Sequence, residues 1–258
     1  MNTRNLIFRS KVVHCKFAGQ GSPIVLLHGY QSDSRIWEPV CQVLSKKHMV
    51  IMPDLPGHGK SALIKETNTM EHLADIVYRV CLSLGLGTVS VAGHSMGGYV
   101  ALAFAAKYSM NTEKIYLINS HPFDESMAQV LARNRETDLL KQGRMRFIIL
   151  PSIKNNFYNC DNPLIKEKIN FAAKIALEQP VEGMVADLAG MMARPDTSMV
   201  FKKPRLRIMV ITGKYDTKFP TERMDGIYTS SSSLVVLDQC GHMCILERPG
   251  EVALELLK

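Results

Sequence analysis

Short aliphatic runs recur along the chain, each bounded closely by Gly, Pro or Asp: IVLL at 24–27, MVIM at 49–52, VSVA at 89–92, KIYLI at 114–118, LRIMVI at 206–211 and LVVL at 234–237. Runs this short, rich in Val and Ile, predict strands buried on both faces. Between them the period changes. In residues 72–84 the apolar positions Leu73, Ile76, Val77, Val80 and Leu84 repeat at helical spacing, and 99–108 is rich in Ala. Alternating strand and helix predicts an α/β fold whose central sheet is mostly parallel, with helices on both faces. From about 121 to 203 the rhythm breaks. No strand series is visible there, and the text is helical and amphipathic, punctuated by Pro151, Pro163, Pro180 and Pro195. The strand rhythm resumes at Leu206. The expected organisation is therefore one core built from residues 1–120 and 204–258, divided by an inserted helical cap at 121–203.

Composition narrows this picture. The chain of 258 residues is 46% hydrophobic and 21% charged, ordinary for a globular enzyme and long enough to bury a large core. No apolar stretch approaches the roughly 18 residues of a membrane span, and near the N-terminus only Leu6-Ile7-Phe8 is apolar. A cytoplasmic protein without a membrane partner is expected. The six cysteines, at 15, 41, 81, 160, 240 and 244, lack the dense spacing of a disulfide framework, so reduced thiols are expected. The net charge of +7 is spread along the chain. In its densest run, Lys202-Lys203 with Arg205 and Arg207, the last two alternate with Leu206 and Ile208 like a solvated edge, which argues against nucleic acid; a small-molecule substrate is the expected partner.

The candidate chemistry begins at Gly93-His94-Ser95-Met96-Gly97, which follows the run at 89–92 and precedes a helix. A strand that turns abruptly into a helix crowds the backbone around its serine, and flanking glycines relieve that crowding while the hydroxyl is held out over the sheet edge. A serine hydroxyl needs a base, and the base needs an acid to fix its tautomer. Of the eight histidines, only His242 lies beyond the last predicted strand. For the acid, Asp216 leaves the strand at 206–211 near the edge where Ser95 is expected; Asp124 follows the preceding strand, and Asp238 lies four residues from His242. Asp216 is the choice on this reading, with Asp124 and Asp238 as rivals, the last better placed to shape the His242 loop. Gly59-Lys60-Ser61 is not a phosphate loop, because Asp54 stands where that motif needs glycine. Cys240 and Cys244 flank His242, but a zinc ion there would consume the base and leave other ligands unidentified. Neither a metal nor a cofactor is expected.

Taken together, Leu27-His28-Gly29-Tyr30, Asp54 to Ser61, Gly93 to Gly98, Gly213 to Asp216 and Gly241-His242 resemble the successive landmarks of the α/β-hydrolase superfamily. The likeness spans residues 20–120 and 204–258. It implies an α/β-hydrolase fold with Ser95, Asp216 and His242 as catalytic residues, and the backbone amides of Tyr30 and Met96 as the oxyanion hole. His28 and His94 resemble supporting residues. Serine at the elbow sets the chain apart from dehalogenases and epoxide hydrolases, whose pattern requires aspartate there. The resemblance implies a small carboxylic ester or thioester as substrate, with carbon–carbon bond hydrolysis or a menaquinone-pathway-like lyase as alternatives on the same residues. A ligand sensor with little turnover is a reading of another class. In the segment 121–203, Arg133, Arg135, Arg144 and Arg146 are candidates to meet an acidic substrate, against solvated helix surface. Phe123, Met127, Phe147, Phe157, Tyr158, Met184, Met191 and Met192 are candidates for an acyl pocket, against core of the insert.

Overall fold

A computed structural model describes every residue except Arg9. The strands are β1 (Asn2–Phe8), β2 (Lys11–Ala18), β3 (Ser22–Leu27), β4 (His48–Pro53), β5 (Val89–His94), β6 (Thr112–Ile118), β7 (Arg207–Gly213) and β8 (Ser232–Leu237). They form one sheet in the order β1-β2-β4-β3-β5-β6-β7-β8. From β4 through β8 all neighbours are parallel. The runs of Val, Ile and Leu put both faces of this part into the core: Val25, Leu26, Val91, Leu117 and Val210 are fully buried. Each such side chain contributes about 1.5–3 kcal/mol of transfer free energy.

The sequence pattern did not predict β1 and β2. They form an antiparallel hairpin, with β2 pairing antiparallel to β4 at the edge of the sheet. Along β1 only Leu6 is buried, so the strand is held by its backbone ladder and leaves almost no apolar alternation to read.

The helices are α1 (Glu38–Leu44), α2 (Met70–Ser83), α3 (Met96–Lys107), α4 (Met127–Lys141), α5 (Met145–Asn155), α6 (Pro163–Leu177), α7 (Val181–Met192), α8 (Thr221–Met224), α9 (Cys244–Glu247) and α10 (Pro249–Leu256). No helix among the described residues is long and apolar enough to cross a membrane. Helices α4 to α7 occupy the segment between β6 and β7. Helix α7 comes close to the core loops because it presents glycine: a Cβ on Gly183 would run into the Gly57 carbonyl, and one on Gly190 into that of Asn68.

The chain runs from β3 to β4 on one side and then crosses to β5 on the other. That reversal separates the loops leaving the carboxyl ends of β3 and β5, and open α/β sheets place ligands in the crevice so formed. Those two loops contain Tyr30 and Ser95.

Candidate active site

Strand β5 ends at His94 and α3 begins at Met96, leaving Ser95 alone to make the turn, with φ 52° and ψ −117°. A non-glycine residue at positive φ is strained and persists only where its surroundings fix it. Here they do. The Ser95 N–H donates to the Ile118 carbonyl at 2.9 Å, and the Ser95 carbonyl accepts from Ser120 Oγ at 2.8 Å and from the Gly98 N–H at 2.9 Å. The turn closes so tightly that a Cβ on Gly93 would meet the Gly97 carbonyl, and one on Gly97 the Leu27 carbonyl.

Ser95 Oγ lies 3.0 Å from His242 Nε2, and His242 Nδ1 lies 2.9 Å from Asp216 Oδ2. The other two candidate acids stand apart: Asp124 and Asp238 are exposed, facing Arg223 at 3.6 Å and Lys214 at 3.3 Å. Burial by itself would raise the Asp216 carboxyl. The charge and hydrogen bond of His242, the Asn119 amide and the Lys218 N–H outweigh it and bring the pKa down to about 2. Asp216 is thus an anion that accepts the Nδ1 proton, which leaves Nε2 free to accept from the serine.

Several supports escaped the sequence reading. Asn119 follows β6 with φ 49°, where Asn is among the few residues tolerated. Its Nδ2 donates to Asp216 Oδ2 at 2.9 Å and to the Gly241 carbonyl at 3.1 Å. The buried carboxylate of Glu247 accepts the N–H groups of Gly241 at 2.9 Å, Met243 at 3.2 Å and Tyr158 at 2.9 Å, bracing the loop on both sides of His242. Just past α5, the Asn156 carbonyl accepts the His242 N–H at 2.8 Å. Asn at a strand end was the available signal for Asn119; nothing local marks Glu247 or Asn156.

His94 Nε2 donates to the His242 carbonyl at 2.8 Å, and burial next to His242 lowers its pKa to about 3, so it is a neutral strut. His28 is held in the same way. Its Nε2 accepts the Leu55 N–H at 2.9 Å, its Nδ1 donates to the Gly29 carbonyl at 2.9 Å, and burial followed by His58 brings its pKa to about 4. Tyr30 follows this loop. Its N–H donates to no backbone acceptor among the described residues, while its hydroxyl donates to Glu136 Oε1 at 2.9 Å. Met96 opens α3, and a helix's first residue has no intrahelical acceptor for its N–H.

Above Ser95 lies a cavity of about 380 Å³ whose walls include Tyr30, Arg133, Glu136, Met191, Lys218 and His242. Of the four arginines considered in residues 121–203, only Arg133 lines it, and of the Met and aromatic candidates only Met191 does. Phe123, Phe157 and Met184 are buried elsewhere, Tyr158 stacks on Tyr215, and Met127 and Phe147 face solvent. The Cys240 and Cys244 sulfurs approach to 3.1 Å, but no cluster of three or more metal-ligating side chains occurs among the described residues.

The family model for the alpha/beta hydrolase fold matches residues 22–249. A thermophilic esterase from Thermogutta terrifontis, solved with malate bound, superposes with a TM-score of 0.92 at 28% identity, covering 100% of this chain and 97% of that one. A 2-hydroxy-6-oxo-6-(2'-aminophenyl)hexa-2,4-dienoic acid hydrolase from Metapseudomonas resinovorans is 23% identical over 92% of this chain and 83% of its own length. An (E)-2-((N-methylformamido)methylene)succinate hydrolase from Acinetobacter baylyi is 28% identical over 136 residues, 53% of this chain and only about half (51%) of that relative.

Proposed function

The chain belongs to the alpha/beta hydrolase fold family, and on that premise we propose that it is a serine hydrolase that cleaves a small carboxylic ester or thioester through an acyl-enzyme on Ser95. The observation that carries this reading is the continuous chain from Ser95 Oγ through His242 to Asp216, with contacts of 3.0 and 2.9 Å. His242 Nε2 takes the Ser95 proton as Oγ attacks the carbonyl carbon. The resulting oxyanion is received by the N–H groups of Tyr30 and Met96, each worth on the order of 10²–10³ in rate. The same Nε2 returns the proton to the leaving oxygen or sulfur. Water then repeats the sequence on the acyl-enzyme, and Asp216 stays ionised throughout, holding the imidazole and its positive charge.

Residues 121–203 serve as the cap: α4 and α5 supply Arg133, Glu136 and Ile153 to the cavity, and α7 supplies Met191. The likeness to the Thermogutta esterase supports ester cleavage. A second reading, carbon–carbon bond hydrolysis, is favoured by the Metapseudomonas relative, which matches over nearly the whole chain. The assay sets short aryl esters and thioesters against a carboxylate-bearing diketone. Steady multiple turnover of the esters is the expected outcome. Turnover of the diketone alone points to the second reading, and phosphonate labelling of Ser95 without turnover of either points to a ligand sensor.

A further inference from the structure

Among the described residues two charged side chains line the cavity without an ion pair, Lys218 and Glu136, and Glu136 is held by neutral donors whereas the Lys218 side chain has no hydrogen bond. Lys218, two residues after Asp216, lines the same space as Ser95 and His242, and among the described residues its ammonium has no ion pair or hydrogen bond. Its neighbours are engaged. Arg133 places Nε and Nη2 on Glu125 at 2.9 and 2.8 Å. Glu136 accepts from the Tyr30 hydroxyl at 2.9 Å and from Gln31 Nε2 at 3.0 Å. Asp216 is held by His242 and Asn119. Only the backbone of Lys218 is anchored, its N–H donating to Asp216 Oδ1 at 2.9 Å, so the root of the side chain is fixed relative to the acid.

Surrounding protein depresses the Lys218 pKa; Asp216 acts in the opposite sense, Arg133 in the same sense, and Glu136 against it. Lys218 itself is exposed, so its ammonium stays solvated and uncommitted where an anion entering the cavity can pair with it. The cavity also offers Gln129, Asn156 and Thr217 as neutral hydrogen-bonding groups around such an anion.

We propose that Lys218 is a specificity-determining residue that binds a carboxylate on the substrate, so that the preferred substrate is an acidic half-ester whose free carboxylate lies a few bonds from the scissile carbonyl. The proposal rests on the hydrolase reading of Ser95 and deepens it. A charge-assisted hydrogen bond of this kind changes affinity by roughly tenfold to a hundredfold.

The test compares kcat/KM for matched pairs: monomethyl glutarate against methyl valerate, with the carboxylate on the acyl side, and acetoxyacetate against propyl acetate, with it on the leaving group. Wild type is expected to prefer the acidic member of at least one pair by about tenfold or more, through KM. Lys218→Met should cut that preference at least tenfold, and Lys218→Arg should restore part of it. Equal rates on both members of both pairs in wild type, or a preference that survives Lys218→Met, would overturn the proposal. Should wild type turn over no ester, the ester-hydrolase reading fails separately. The carboxylate site is then read by whether glutarate slows labelling of Ser95 by a neutral fluorophosphonate in wild type but not in Lys218→Met; no protection in wild type, or equal protection in both, counts against it.

Discussion

The described residues contain two buried histidine–aspartate pairs whose acids are shifted in opposite directions. His242 and Asp216 meet at 2.9 Å, His58 and Asp187 at 3.2 Å. In the first, burial raises the acid but His242, Asn119 and the Lys218 N–H prevail, and Asp216 falls to about 2. In the second, both side chains are fully buried, and burial outweighs His58 and the single amide of Asn68, so Asp187 rises to about 6. The first pair ends on Ser95 and opens into the cavity. The second sits in the seam where α7 meets the core loops, between the close approaches at Gly183 and Gly190. A histidine beside an aspartate is therefore placed for proton transfer only where donors keep the acid ionised and a hydroxyl lies at the far nitrogen; without them it is a buried fastening.

The sharpest way to break this comparison is to neutralise each acid in turn. Asp216→Asn should lower turnover of an aryl ester by about 10⁴, because the wrong tautomer of His242 then faces Ser95. Asp187→Asn should cost less than about tenfold in the same steady-state assay, since nothing in that pair touches the cavity.

Stability should separate them by pH in opposite directions. Asp216 has a folded value below its ordinary 3.8, so its contribution is complete above that value and is lost as pH falls toward 2. Asp187 has a folded value above 3.8, so its contribution is complete below that value and is lost as pH rises through about 6. Thermal melts from pH 4.5 to 8 should show wild type losing ground to Asp187→Asn as pH rises, by an amount on the order of 2 kcal/mol. A constant difference across that range would mean that His58 compensates the ionised carboxylate.

A smaller effect is expected from Asn119→Gly, which keeps the positive φ at that position and removes only the amide. Turnover should fall roughly tenfold, and the acid limb of the kcat/KM profile should move upward as Asp216 loses a donor. Unchanged kinetics would confine Asn119 to a structural part.

The contrast also marks what the sequence could and could not reveal. Strands β3 to β8 were legible because their Val- and Ile-rich runs are buried on both faces, and Ser95 was legible because the elbow is local, five residues long and set between a strand and a helix. The hairpin of β1 and β2 was not, since Leu6 is the one buried position on β1 and backbone pairing leaves no pattern in side chains. Asp216 was the preferred acid, but Asp124 and Asp238 stayed open as rivals because each also lies in a loop near a strand end; long-range packing sets Asp216 against His242 and leaves the other two in solvent. Asp187 and His58 lie far apart in the chain, as do Asn119 and Asp216, and no local period links such partners. Residues 121–203 showed the same limit. Helical character was readable, but Met127 and Phe147 face outward while Arg133 and Met191 face the cavity.

The central claim is that Ser95 is the nucleophile of a turning-over hydrolase. Steady-state hydrolysis of a short aryl ester by Ser95→Ala, purified beside wild type and matched to it in thermal melting, tests this most directly. The account predicts multiple turnover in wild type and a loss of at least 10³ in kcat for the variant, with residual rate from the oxyanion donors and binding alone. Hydrolysis by Ser95→Ala within tenfold of wild type would contradict it.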